Sequence, residues 1–199
     1  DVATGPAALN REHGFERVEF PSQQGDPSKC GVSDTCMLKP TISAWYYPSP
    51  SATAQPTIVI IQGFQVEATY VDPIVESSFY RNNLSYNVLA LDLRNHGHSD
   101  TTNGFRSFGQ PEALDVLAAI HCVETGCHPS VRKTNISQIG IHGISAGGTQ
   151  AYQVFALEPR LRGMWVDSGI WSFLSEVYFE GGHLIGAAAT YAAAFVGER

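Results

Sequence analysis

At 199 residues, 43% hydrophobic and 16% charged, the chain has room for one domain with a real apolar core and too little length for two ordinary ones. Its formal net charge is −7 and it holds no lysine- or arginine-rich run, which excludes nucleic acid or an anionic membrane as its main partner. No stretch reaches the roughly 18 apolar residues of a membrane span, and the longest apolar run, Leu184 to Val196, reads as a buried helix.

Phe15 to Phe20 alternates in the manner of a strand, and Ile42 to Tyr47 is a second strand ended by Pro48-Ser49-Pro50. Thr57-Ile58-Val59-Ile60-Ile61 is a continuous β-branched run, the pattern of a parallel strand buried on both faces. Asp72 to Tyr80 is predicted helical, with Asp72-Pro73 as N-cap and first position. Tyr86 to Leu91 is the next strand, Glu112 to Val123 a helix, Ile136 to Ile141 a strand and Ala146 to Leu157 a helix. Met164 to Val166 is a short final strand. Strands and helices alternating over short connections specify a doubly wound, mostly parallel α/β sheet with helices on both faces. Beyond Trp171 the chain is rich in aromatics and alanine without a further strand run. The expected organisation is therefore a core over residues 1–170 and a helical, cap-like segment over 171–199.

The cysteines fall into two close pairs, Cys30 with Cys36 and Cys122 with Cys127. Neither spacing suits a zinc hairpin, so disulfides are expected and no metal. Two N-x-S/T sequons, at Asn83 and Asn135, are candidate glycosylation sites. Together these features point to a secreted or lumenal protein in an oxidising compartment.

The chemistry is carried by Gly143-Ile144-Ser145-Ala146-Gly147. Between a buried strand and a helix, a G-x-S-x-G run places serine on a sharp, strained turn where residues larger than glycine would collide. The turn exposes the hydroxyl over the sheet edge, and the helix N-terminus beneath favours developing negative charge. An acyl-transfer site also needs two N–H donors for the oxyanion. Ala146, directly after the nucleophile, supplies one. The other is expected from Gln62-Gly63-Phe64, with the Phe64 N–H as donor.

Three segments in this order resemble the α/β-hydrolase superfamily. Val59 to Phe64 is similar to its strand and His-Gly oxyanion loop, Leu91-Asp92-Leu93-Arg94-Asn95-His96-Gly97-His98-Ser99 to its D-x-R-G-H-G-x-S loop, and Gly143 to Gly148 to its nucleophile elbow. The resemblance covers roughly residues 15 to 170. Two positions depart from the pattern. Gln62 stands where histidine is usual, which a backbone donor tolerates; Asn95 replaces a glycine, which asparagine tolerates in a left-handed conformation.

The resemblance implies a triad in the order Ser, acid, His. After Ser145 the chain holds one Asp, four Glu and one His. Asp167, at the end of the strand after the elbow, is the candidate acid, with a turn cap in Val166-Asp167-Ser168-Gly169 as the alternative. His183 is better read as part of a cap, because no strand run precedes it. His96 and His98 belong to a structural turn in the family, and His142 is expected at a strand end beneath the elbow. The chain thus reads as the N-terminal part of a longer or two-chain serine hydrolase, its histidine supplied by a segment that completes the sheet. The expected substrate is a small or lipid-like ester, with a peptide bond as the alternative, and no cofactor is implied. A catalytically idle module that binds a partner through its open sheet edge is the alternative of a different class.

Overall fold

The computed structural model describes residues 14–25, 37–63, 67–69, 71–104 and 109–169. In chain order these form β1 (Glu16–Pro21), β2 (Thr41–Tyr47), β3 (Thr57–Ile61), α1 (Val71–Asn83), β4 (Asn87–Asp92), α2 (Gln110–Thr125), β5 (Ile139–Ile144), α3 (Ala146–Leu157) and β6 (Gly163–Asp167). The six strands make one sheet in the order β1-β2-β4-β3-β5-β6. β2 runs antiparallel to both β1 and β4, while β4, β3, β5 and β6 are mutually parallel.

The β-branched and aliphatic runs account for this sheet. β4 is buried along its whole length, and in β3 Val59, Ile60 and Ile61 are fully buried, as parallel strands covered on both faces require. On one face, Val59, Ile61, Leu89, Leu91, Ile139 and Ile141 pack against Val116, Ala119 and Val123 of α2 and Ala151 and Val154 of α3. On the other, Trp45, Tyr47, Ile60, Val88 and Ala90 lie with Phe15 under Tyr80 of α1. Burying such a row stabilises by roughly 1.5–3 kcal/mol for each large side chain.

Two boundaries differ most from the expected pattern. α1 already includes Val71 and Asp72, so Asp72 is not its N-cap, and it runs on past Tyr80 to Asn83. Ile136–Gln138 is a 3₁₀ turn, and β5 begins three residues later, at Ile139. Asn135 decides this. Its side-chain oxygen accepts the Ser137 N–H at 3.0 Å and the Ser137 hydroxyl at 2.9 Å, a local bond that competes with sheet pairing. α2 ends at Gly126 with φ 69°, where the Gly126 and Cys127 N–H groups both donate to the Cys122 carbonyl. The Cys122–Cys127 disulfide locks that cap. Among the described residues no helix is long and apolar enough to cross a membrane.

The chain leaves β3 toward β4 on one side and later places β5 on β3's other side. Connections therefore diverge from the carboxyl ends of β3 and β5, and the divergence opens a crevice there, the usual ligand position in an open α/β sheet.

Candidate active site

Ser145 follows the last residue of β5 and precedes the first residue of α3. Its backbone sits at φ 50°, ψ −120°, a conformation that a non-glycine residue adopts only when its surroundings force it. The Ser145 N–H donates to the Asp167 carbonyl at 2.8 Å, and the Ser145 carbonyl accepts the Gly148 N–H at 2.9 Å. Around the turn there is no space for side chains. A β-carbon on Gly147 would stand 2.2 Å from the Ile61 carbonyl oxygen; one on Gly143 would stand 2.7 Å from the Gly147 carbonyl oxygen. One on Gly148 would meet Val166 Cγ1 at 2.6 Å. The glycines thus let α3 start directly against the end of β3.

That contact brings the two loops of the crevice together. A β-carbon on Gly63 would lie 3.5 Å from Ser145 Cβ and 3.9 Å from Ser145 Oγ. The loop after β3 therefore faces the serine, the side from which a second oxyanion donor is expected. Ala146, expected to supply the adjacent donor, is fully buried at the helix start. Phe64, Cys30, Cys36, His183 and the segment 171–199 lie outside the described residues.

The loop after β4 forms the flank. Asn95 has φ 65°, so the left-handed position inferred for it is present. Its side-chain oxygen accepts the N–H of Thr102 at 2.7 Å and of Gly104 at 3.3 Å. Arg94 is 1% exposed and meets the fully buried Asp115 of α2 through Nη2 at 2.7 Å and Nε at 3.0 Å. Ser22 completes this cluster, accepting from Arg94 Nη2 at 3.0 Å and donating to Asp115 at 2.6 Å. His96 Nδ1 lies 3.0 Å from the Arg94 carbonyl, within the turn. Ser99 ties the loop to the sheet, donating to the Asp92 carbonyl at 2.5 Å and accepting the Ser43 N–H at 2.8 Å.

Asp167 ends β6 and is exposed, its Oδ1 accepting the Ser168 hydroxyl at 3.0 Å. It lines a cavity of about 410 Å³ with Val75, Glu76, Phe79, Tyr80, His142 and Trp165. His142 lies inside β5 rather than at its end, 5% exposed, with Nδ1 3.2 Å from the Tyr80 hydroxyl and 3.5 Å from Glu76 Oε2. Burial holds its imidazole below the ordinary histidine value, opposed by the nearby charge of Asp167. The partners of His142 on α1, Tyr80 and Glu76, lie more than 60 residues away in the chain, and its one signal in the sequence is a histidine within an otherwise apolar strand. Both sequon asparagines are exposed, Asn83 at the end of α1 and Asn135 before the 3₁₀ turn.

No family model matches the chain, and no curated protein sequence does. Solved structures do match. An esterase of Pyrococcus furiosus, Pf2001, superposes with a TM-score of 0.63 at 19% identity over 86% of this chain. The α/β hydrolase GrgF from Penicillium sp. sh18 gives 0.60 at 16% over 92%, and a putative hydrolase from Agrobacterium vitis S4 gives 0.59 at 16% over 82%. This chain has the α/β-hydrolase fold. It spans just over half the length of those structures, 58%, 56% and 56% respectively.

Proposed function

We propose that the chain is the N-terminal part of a serine hydrolase that cleaves an ester-type acyl substrate through an acyl-enzyme on Ser145. One observation carries this reading: Ser145 is held at φ 50°, ψ −120° between β5 and α3, with the loop after β3 closed against its side chain. The Ser145 hydroxyl gives its proton to the triad histidine as it attacks the acyl carbon, the N–H groups of Ala146 and Phe64 receive the oxyanion, and the histidine passes the proton to the leaving alcohol. The alcohol leaves, and water then releases the acid. Asp167 is the proposed acid of the triad, and the histidine comes from a segment that continues the sheet past β6. The small or lipid-like ester reading draws support from the esterase among the similar structures. The disulfide at Cys122–Cys127 supports an oxidising, secreted or lumenal setting, with Asn83 and Asn135 as exposed glycan acceptors.

A partner-binding module without catalysis is the second reading, favoured by the exposure of Val75 (61%), Phe79 (53%) and Trp165 (64%) beside the edge strand β6. A fluorophosphonate probe on the native full-length protein separates the two. Labelling that maps to Ser145 and disappears in Ser145→Ala is expected. Absence of labelling with the fold intact sinks the hydrolase reading and leaves the module.

A further inference from the structure

One buried carboxylate that the proposed chemistry does not use is Asp92, at the carboxyl end of β4. It is fully buried, yet both of its oxygens are occupied by backbone donors from two different loops. Oδ1 accepts the N–H of Ala68 at 2.7 Å, and Oδ2 accepts the N–H of His98 at 3.1 Å. The turn is shaped around this group. Gly97 lies at φ 51°, and a β-carbon there would stand 2.4 Å from the Asp92 carboxylate. Burial pushes the Asp92 carboxyl above its ordinary value, and the two N–H donors pull it back. A buried carboxyl costs solvation unless hydrogen bonds replace the water. Here they come from the chain segments on both sides of it.

Ala68 lies on the same loop after β3 as Gly63, the residue placed against Ser145. We propose that Asp92 is a positioning residue that fixes the loop after β3 against the nucleophile, by tying Ala68 to the turn after β4. This rests on the serine-hydrolase reading of Ser145. Aspartate suits the role because both of its oxygens accept. Asparagine offers one acceptor and one donor, and the donor faces an N–H wherever it points.

The experiment compares Asp92→Asn and Asp92→Ala with wild type in the native full-length protein. It reads backbone amide exchange at Ala68 and His98 and the fluorophosphonate inactivation of Ser145. In Asp92→Asn, Ala68 keeps slow exchange through the shorter bond while His98 is released, and inactivation stays near wild type. In Asp92→Ala, both amides exchange faster, and the limiting rate of inactivation falls by about 100-fold, the scale of a lost oxyanion donor, with the probe's affinity little changed. Full inactivation rate in Asp92→Ala, or Ala68 exchange unchanged by that substitution, overturns the proposal. Should Asp92→Ala not fold, the Ala68–His98 split in Asp92→Asn decides it: release of Ala68 with His98 still protected overturns it. A wild-type protein that takes no label removes the serine-hydrolase reading and the catalytic consequence with it. Ala68 exchange then still tells whether Asp92 holds the loop.

Discussion

Two sharp turns stand at the carboxyl end of this sheet, and they are held in place by opposite means. The turn after β5, with Ser145 at φ 50°, is fixed by lack of space: Gly143, Gly147 and Gly148 let backbone touch backbone, and any β-carbon would strike a neighbour. The loop after β4, with Asn95 at φ 65°, is fixed by charge and hydrogen bonds: Arg94 to Asp115, Asn95 to Thr102, Asp92 to His98. The difference follows what each must present. In the proposed chemistry the serine needs its own side chain free and aimed, so close packing of backbone has to hold it. A supporting loop can spend its polar side chains on itself.

The comparison breaks most severely at Asp115. Asp115→Ala leaves the Arg94 guanidinium buried without that carboxylate, which costs about 3–5 kcal/mol. Urea denaturation is expected to show that loss. Replacing both members together, Arg94→Met with Asp115→Leu, recovers most of it, because the uncompensated charge is gone.

Gly147→Ala tests the steric turn. The obstructing atoms are the carbonyl oxygens of Ile61 at 2.2 Å and Gln62 at 2.6 Å, which cannot rotate away as a side chain could. The overpacking is expected to cost roughly 1–3 kcal/mol. Fluorophosphonate labelling at Ser145 should fall further than that stability loss explains, since the strain lands on the proposed nucleophile. A variant that melts lower yet labels at the wild-type rate would show that the elbow is not set by this contact.

Asn95 separates strain from hydrogen bonding in the other turn. Asn95→Ala loses both the left-handed tolerance and the bonds to Thr102 and Gly104, and about 1–2 kcal/mol is expected for the conformation alone. Asn95→Gly keeps the conformation easy and loses only the bonds. Thermal melting should therefore place the glycine variant between wild type and alanine.

These turns also mark how far the residues themselves disclose the structure. The run Thr57 to Ile61 and the helix Ala146 to Leu157 were legible to the residue, because burial on both faces and the glycine-flanked serine leave few alternatives. The left-handed Asn95 was legible too, from asparagine's tolerance of that conformation. The start of β5 was not, since the Asn135–Ser137 bond is a local competitor that hydrophobic patterning does not register. Nor were the partners of Arg94 and Asp92. Asp115 is 21 residues from Arg94 and Ala68 is 24 from Asp92, and only the folded sheet brings them together. The histidine of the proposed triad is not among the legible parts either, as His142 faces α1 and Tyr80.

The smallest expected effect concerns that histidine. Its burial in β5 lowers its proton affinity in the folded state, while in the unfolded chain it titrates near 6.5. A depressed folded value means that the folded state binds the proton less well than the unfolded one does. The contribution of His142 to stability is then fully present above about pH 6.5 and is lost as pH falls toward and through the lowered folded value. Glu76 and Asp167, which share its cavity, soften the loss by attracting the charged ring. Urea midpoints measured from pH 7.5 down to 5 should thus decline in wild type, with a shallower decline in His142→Gln, which keeps a polar group toward Tyr80 and removes the titration. An equal slope in both would assign the acid sensitivity to other groups.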